Sequence, residues 1–176
     1  MPAVDTVPQT TGDFGQLKYI LEAQVREVGA KKILELGTDV GDSTRIFSNV
    51  LLETSGKLLT IDIVPPKEDW PSKHPCSNVM FVTGDSLKVD FAEQVDMLFI
   101  DADHHKEHVL MELRKFGPWV RKGGRILVHD IIHSEFGVGI SEAITEWCKE
   151  VGIPTWERYE VQHGLGVIHV DRELRS

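Results

Sequence analysis

Short apolar runs alternate along this chain with segments in which apolar residues recur every three or four positions. The helical spacing predicts four amphipathic helices, at about residues 13–28, 42–55, 105–120 and 139–151. The short runs predict five strands, at residues 32–36, 57–63, 79–82, 95–100 and 125–128. Because parallel strands need a crossover of a dozen or more residues, this alternation predicts a mostly parallel sheet. The pair Gly123-Gly124 should end the third helix before the fifth strand begins.

Two further strand-like runs close the chain, at residues 155–161 and 165–170. The three residues between them are too few for a crossover, so these runs should form an antiparallel hairpin. The whole pattern predicts an α/β fold, namely a doubly wound, Rossmann-like, mostly parallel seven-stranded sheet with an antiparallel strand in the C-terminal hairpin.

Two segments fall outside this alternation. Residues 1–12 hold two prolines and three threonines without apolar periodicity, and they predict a flexible tail. Residues 13–176 then form a single domain, whose first helix starts at the capping-box pair Asp13 and Gln16. Residues 64–77 contain four prolines and predict an irregular loop.

Composition narrows the classes of partner. The chain has 176 residues and a formal net charge of -9, so it lacks the basic footprint typical of nucleic-acid binding. No apolar run approaches the ~18–20 residues of a membrane span, and the N-terminus has no secretory signal. Cys76 and Cys148 give neither a disulfide framework nor zinc-ligand spacing. These features predict a cytoplasmic protein with no nucleic-acid or membrane partner.

Acidic residues gather where the predicted strands end. Glu35, Asp62, Asp85, Asp101 and Asp130 each stand at or just beyond the end of a different strand. Since open α/β sheets bind ligands beyond the carboxyl ends of their strands, these residues predict one ligand site rather than five helix caps.

The turn after the first strand carries Gly37 and Gly41, a spacing that differs from the dinucleotide fingerprint G-x-G-x-x-G. A plain strand-to-helix turn would also explain it. Asp62 is placed to accept hydrogen bonds from a ribose diol, although aspartate is also common in turns. Glu35 and Asp39 would repel phosphate but tolerate a cationic sulfonium. Together these residues favour a nucleoside ligand without phosphates.

The ordered motifs ILELGTDVGDST, LLTIDI, FVTGDS, MLFIDADHH and GGRILVHD resemble those of class I S-adenosylmethionine-dependent methyltransferases. The resemblance runs from about Phe14 to Val170 and is closest to small metal-dependent O-methyltransferases, including catechol, caffeoyl-CoA and sugar O-methyltransferases and the cephalosporin hydroxylase-like group. It implies S-adenosyl-L-methionine as cofactor and a hydroxyl group of a small molecule as acceptor.

The same resemblance implies a role for each strand-end residue. The ribose would be held by Asp62, and Asp101 would stand near the amino end of the cofactor and the metal. The adenine would meet Asp85 and Ser86. The methionine part would be held by the residues of the first turn: Glu35, Gly37, Thr38, Gly41 and Ser43.

A divalent metal is the second implied component. Asp101 and Asp130 end neighbouring strands, so their carboxylates should converge, and hard cations prefer such oxygen ligands. In the resembled enzymes a third ligand stands beside the second aspartate, but here one neighbour is Ile131, which cannot ligate. His129 or His133 could replace it, and an imidazole would favour manganese or another transition metal over magnesium. The alternative is that the two aspartates bind only cofactor and water.

His104 is the candidate general base, because the resembled sugar methyltransferases have a histidine at this distance from the metal-binding aspartate. An unperturbed histidine is largely neutral near pH 7 and can accept a proton. The alternative is that His104 only begins the next helix. The cluster His104, His105, Glu107 and His108 could also suggest zinc, but it is not an HExxH motif and lacks a nearby third ligand.

Two other functions stay open from the sequence. One is an NAD-dependent Rossmann oxidoreductase, which the missing third glycine disfavours. The other is a cofactor-binding protein without methyl transfer, suggested by Ile131. The acceptor is not identified, and its contacts could come from the first helix, from residues 64–77 or 131–138, or from a partner subunit in a homo-oligomer.

Overall fold

The computed structural model describes residues 15–65, 77–132 and 137–174. The predicted tail, the capping residue Asp13, most of the predicted 64–77 loop and His133 lie outside the described residues.

Seven strands form one sheet in the order β3-β2-β1-β4-β5-β7-β6. Strands β1 to β5 are parallel to one another, and β7 runs antiparallel to both β5 and β6. This confirms the predicted fold, including the C-terminal hairpin. The strands are β1 Lys32–Leu36, β2 Lys57–Asp62, β3 Val79–Thr83, β4 Val95–Ile100, β5 Val120–His129, β6 Glu157–Tyr159 and β7 Leu165–His169.

Helices cover both faces of the sheet, as a doubly wound fold requires. They are α1 Gly15–Val28, α2 Asp42–Glu53, α3 Lys106–Phe116 and α4 Gly137–Val151. The buried faces of α1 and α2 pack on one side of the sheet, and those of α3 and α4 pack on the other. Among the described helices, none combines the length and the apolar character that crossing a membrane requires.

The prediction that Gly123-Gly124 separates a helix from a strand was wrong. Helix α3 ends at Phe116, and β5 already begins at Val120 and runs through both glycines. The pairing of β4 with β5 shifts register between Val95 and Met97, so the glycines lie in a bulge. A Cβ atom on Gly124 would lie 2.4 Å from the carbonyl oxygen of Asp96, which explains why the bulge needs glycine there.

The strand order positions a ligand site at one edge of the sheet. The connections leave β1 in opposite directions, so the order reverses between β1 and β4. The ends of these strands are joined by backbone bonds, because the amide of Asp101 donates to the carbonyl of Leu36 at 2.8 Å. At the ends of the next strands, the amide of Gly84 donates to the carbonyl of Asp62 at 2.8 Å. Such a switch point is where open α/β sheets bind ligands.

Candidate active site

The loop after β1 passes close over the end of β4. Gly37 has a φ of +93°, and a Cβ atom at this position would lie 2.1 Å from the carbonyl oxygen of Asp101. Only glycine can adopt this backbone conformation at this distance. The absence of a side chain leaves the start of the loop open toward a cleft that lies beyond the ends of the parallel strands. Gly37 lines this cleft.

Glu35 lies beneath this loop rather than in the cleft. Its side chain is fully buried, and its carboxylate accepts hydrogen bonds from Ser43 Oγ at 2.6 Å and Thr44 Oγ1 at 2.5 Å. Glu35 and Ser43 thus support the loop through their mutual hydrogen bond, and their contact with the cofactor stays a prediction. The pair anchors the first turn of α2 to β1, and burial raises the pKa of Glu35 to about 7.

Asp62 lines the cleft and also fastens the loop. Its Oδ2 accepts hydrogen bonds from the backbone amides of Thr38 at 2.7 Å and Asp39 at 3.0 Å, and its Oδ1 accepts one from Val64 at 2.8 Å. Burial alone would raise the pKa of Asp62, but these backbone hydrogen bonds outweigh it and lower the pKa. Its carboxylate therefore favours the ionised form and adds a negative charge to the cleft that it lines.

The cleft has a volume of about 430 Å³. Of the residues predicted to bind the cofactor, it brings together Gly37, Asp62, Asp85, Ser86 and Asp101, whereas Glu35, Thr38, Gly41 and Ser43 do not line it. The cleft has no lysine or arginine among its described lining residues: Gly37, Asp39, Ile61, Asp62, Ile63, Val64, Gly84, Asp85, Ser86, Asp101, Ala102, Asp103 and His108.

His108 and Glu112 have no predicted role in the cleft. Glu112 is fully buried and bonds to both Ser86 and His108. Its position gave a usable signal, because Glu112 falls between Val109 and Leu113 on the apolar face of α3, where a carboxylate is unexpected.

Two histidines and two aspartates cluster where β4 and β5 end. His104 Nε2 lies 2.9 Å from Asp130 Oδ2 and 3.4 Å from Asp101 Oδ1. On the other side, His129 Nδ1 lies 3.2 Å from Asp101 Oδ1 and 3.5 Å from Asp130 Oδ1. The predicted convergence of these residues is thus present in the structure.

The backbone fixes the orientation of His129. Its Nε2 lies 3.0 Å from the carbonyl oxygen of Gln162, which can only accept, so Nε2 must carry the proton. Nδ1 then faces two carboxylates, either as a protonated nitrogen or as a lone pair toward a shared cation. Burial by itself lowers the pKa of His129, but the hydrogen bond and charge of Asp101 and the charge of Asp130 outweigh it and raise the pKa.

His104 is more accessible than His129, with 34% of its side chain exposed against 9%. Its hydrogen bonds to Asp101 and Asp130 raise its pKa to about 10. The expectation of a histidine that is neutral near pH 7 therefore does not hold for His104 beside two uncompensated carboxylates. The neighbouring Asp103 pairs with His105 at 2.7 Å.

The carboxylate oxygens and imidazole nitrogens of this cluster are suited to coordinate a cation. Asp101, His104 and Asp130 each offer a ligand atom, and these atoms all lie within 4.8 Å of one another. Asp130 Oδ1 is buried and accepts no hydrogen bond from the described residues. Asp130 also has a φ of +61°, a strained conformation for a residue other than glycine. An orphaned, buried carboxylate oxygen on strained backbone is the kind of atom that a metal ion satisfies.

Comparisons with known proteins agree with this geometry. A family model described as "Methyltransferase domain" matches residues 34–131, which is more than half of the chain. A rhamnosyl O-methyltransferase of Mycobacterium leprae (strain TN) is 26% identical over 142 residues, which cover 70% of this chain and 61% of that protein. The chain thus spans about three fifths of the length of this curated relative.

Two solved structures share the fold. A Podospora anserina methyltransferase with SAH bound has a TM-score of 0.72 at 14% identity, covering 93% of this chain and 81% of that one. The apo structure of a TDP-rhamnose 3'-O-methyltransferase from calicheamicin biosynthesis has a TM-score of 0.67 at 15% identity, covering 88% and 78%. Likeness at these identities shows a shared architecture.

The burial of Glu35 leads to a prediction about stability and pH. Its pKa of about 7 in the folded chain exceeds its ordinary value of 4.5, so between these values the folded state holds more protons than the unfolded state. The stability that the Glu35 carboxyl group contributes is therefore fully present below about pH 4.5. It is lost as pH rises toward about 7. We expect Glu35→Gln to remove this loss, which is on the order of 3 kcal/mol.

The measurement is urea denaturation of both proteins at about pH 5 and about pH 8. From the lower to the higher pH, the free energy of unfolding of Glu35→Gln should rise relative to that of the wild type. Glu173→Gln, at an exposed position, is the matched control. An identical pH profile for Glu35→Gln and the wild type would contradict the assignment.

Proposed function

The chain belongs to the methyltransferase domain family, and on that premise we propose that it is an S-adenosyl-L-methionine-dependent O-methyltransferase. The acceptor would be a hydroxyl group on a sugar or another small molecule, and the location would be cytoplasmic. The observation that carries the proposal is the meeting of an acidic nucleoside-sized cleft with a cluster of two aspartates and two histidines at its end. The name of the Mycobacterium leprae relative supports a sugar acceptor.

The charge of the cleft favours this cofactor over a dinucleotide. Five aspartates and no lysine or arginine are among its described lining residues. A pyrophosphate would meet repulsion there, whereas a sulfonium and an ammonium group would be attracted. The bound cofactor supplies a methyl group on positively charged sulfur. Asp62 would hold the ribose, with Asp85 and Ser86 at the adenine end.

Asp101 and Asp130 would hold a divalent cation, with His129 as the third side-chain ligand. His104 also lies within ligand distance of both aspartates, but it is the more accessible histidine and is kept for the acceptor. The carbonyl of Gln162 fixes the tautomer of His129, which is the usual arrangement behind a metal-binding histidine. The cation would act as a Lewis acid that lowers the pKa of the acceptor hydroxyl. An imidazole among the ligands favours manganese or another transition metal over magnesium.

His104 would remove the proton from the acceptor hydroxyl. It is the accessible histidine of the cluster, and it can be a base only when neutral. A cation held by Asp101 and Asp130 would offset the negative charge that raises the pKa of His104, so loading of the site and activation of the base would be linked. The remaining contribution of the chain is to align the hydroxyl with the methyl group.

The first prediction concerns Asp62. We expect Asp62→Ala to weaken the binding of S-adenosylmethionine by about 2–3 kcal/mol, because a charge-assisted hydrogen bond to the ribose is lost. Isothermal calorimetry measures the change. Because Asp62 also accepts bonds from Thr38 and Asp39, thermal denaturation must accompany it.

Asp90→Ala removes the same charge from an exposed position that does not line the cleft, and it should leave the affinity unchanged. If Asp62→Ala is folded and binds the cofactor like the wild type, Asp62 does not hold the ribose.

The second prediction concerns the cation. We expect Mn²⁺ to bind the wild type and to bind Asp130→Asn at least about tenfold more weakly, while the affinity for S-adenosylmethionine stays within a few-fold. Asparagine tolerates the positive φ of residue 130, so the backbone should persist. Calorimetry with Mn²⁺ alone gives the first value. Full methyl transfer after exhaustive chelation would refute a metal-assisted reaction.

The third prediction separates the two adjacent histidines. His104→Ala should lower turnover by about 10²–10⁴-fold with little change in cofactor affinity, because a positioned base typically contributes this much. His105 is exposed and paired with Asp103, so His105→Ala is the matched control and should be nearly neutral. Normal turnover of His104→Ala together with a crippled His105→Ala would overturn the assignment.

A further inference from the structure

Glu112 is a buried carboxylate behind the wall of the cleft. It lies on α3, its side chain is fully inaccessible, and its Oε1 accepts a hydrogen bond from Ser86 Oγ at 2.6 Å. His108 Nε2 lies 3.3 Å from the same oxygen. The second oxygen, Oε2, is buried and has no hydrogen-bond partner among the described residues. A carboxylate so placed is costly to bury, so its position calls for a reason beyond packing.

The contact with Glu112 decides which way the hydroxyl of Ser86 can act. Ser86 has a single hydroxyl hydrogen, and that hydrogen points to Glu112. The oxygen of Ser86 can therefore only accept a hydrogen bond from a ligand in the cleft. This holds whether Glu112 is ionised or protonated on Oε2, because Oε1 is an acceptor in both forms.

His108 is restricted in the same manner. Because Glu112 Oε1 is the acceptor, a His108 ring with a single hydrogen carries it on Nε2 and leaves Nδ1 as a lone pair. Asp85 adds a carboxylate to the same end of the cleft, where its Oδ2 also pairs with Lys88 Nζ at 2.9 Å. The side chains of Asp85, Ser86 and His108 thus present hydrogen-bond acceptors to a ligand.

The turn that carries Ser86 is held in place. Lys115 Nζ donates to the carbonyl oxygens of Ser86 at 2.8 Å and Val89 at 2.6 Å, and the amide of Leu87 donates to Asp85 Oδ1 at 2.9 Å. Because the backbone is fixed from both sides, Ser86 cannot easily exchange its acceptor role for a donor role by moving the turn.

We propose that Glu112 is a positioning residue which, by fixing Ser86 and His108 as acceptors, makes the cleft select a purine with an amino group at the 6-position against one with a 6-oxo group. This inference rests on the proposed function, in which Asp62 holds the ribose and the base lies toward Ser86. An amino group would donate hydrogen bonds to these acceptors. A carbonyl oxygen has no hydrogen to donate, and its lone pairs would be repelled by theirs.

The test compares two ligands that differ at the 6-position of the base, S-adenosylhomocysteine and S-inosylhomocysteine, by calorimetry on the full chain. The wild type should bind the amino compound at least about tenfold more tightly. Glu112→Met keeps the site apolar and frees the hydrogen of Ser86, so the preference should fall to within about threefold. Glu107→Met, at an exposed position of the same helix, is the control and should keep the full preference.

Ser86→Ala provides a second variant should Glu112→Met fail to fold, and it should also lose most of the preference. If the wild type binds both compounds equally, or if both variants keep the wild-type ratio, the inference is overturned while the proposed cofactor stands. If the wild type binds neither compound, the proposed function fails and the inference fails with it.

Discussion

The close passage of the β1 loop over the end of β4 is the contact on which the cleft depends. Gly37 lies against the carbonyl of Asp101, so the loop and the strand end cannot move independently. Asp62 holds the same loop from the side of β2 through two backbone amides, and Glu35 holds the start of α2 from below. Three strand ends are thereby joined into one rigid edge, and a ligand that bridges them finds its contacts already arranged.

Much of the fold was predictable because it depends on local periodicity. The strands at Lys32–Leu36 and Val95–Ile100 have the predicted bounds, and the short gap before Leu165 was enough to predict the hairpin. The start of β5 was not predictable, because Val120 continues the apolar spacing of α3 and only pairing with Val95 makes it a strand. The resemblance to methyltransferases is confirmed by the family match.

The sequence predicted which residues lie together in the site, but it did not predict the contacts that each residue makes there. Strand ends brought Asp101 and Asp130 together as expected, since that follows from parallel neighbours. Whether Glu35 faces the cleft or the core depends on the hydroxyls of Ser43 and Thr44, which no spacing rule reveals. His104 also contacts Asp130 at the end of the neighbouring strand, and only the tertiary structure supplies that contact.

The two histidines beside Asp101 and Asp130 differ in burial and in hydrogen bonding, which suits them to different roles. His129 is almost fully buried, and the carbonyl of Gln162 fixes its protonated nitrogen, so the other nitrogen can serve only the aspartates. His104 is more exposed and bonds to the same aspartates, so it is the histidine of the pair that an acceptor can reach. A metal-binding histidine needs a nitrogen of fixed orientation, whereas a general base needs a nitrogen that the acceptor hydroxyl can reach. This difference supports our proposal of His129 as the metal ligand and His104 as the base, although the sequence places both beside an aspartate.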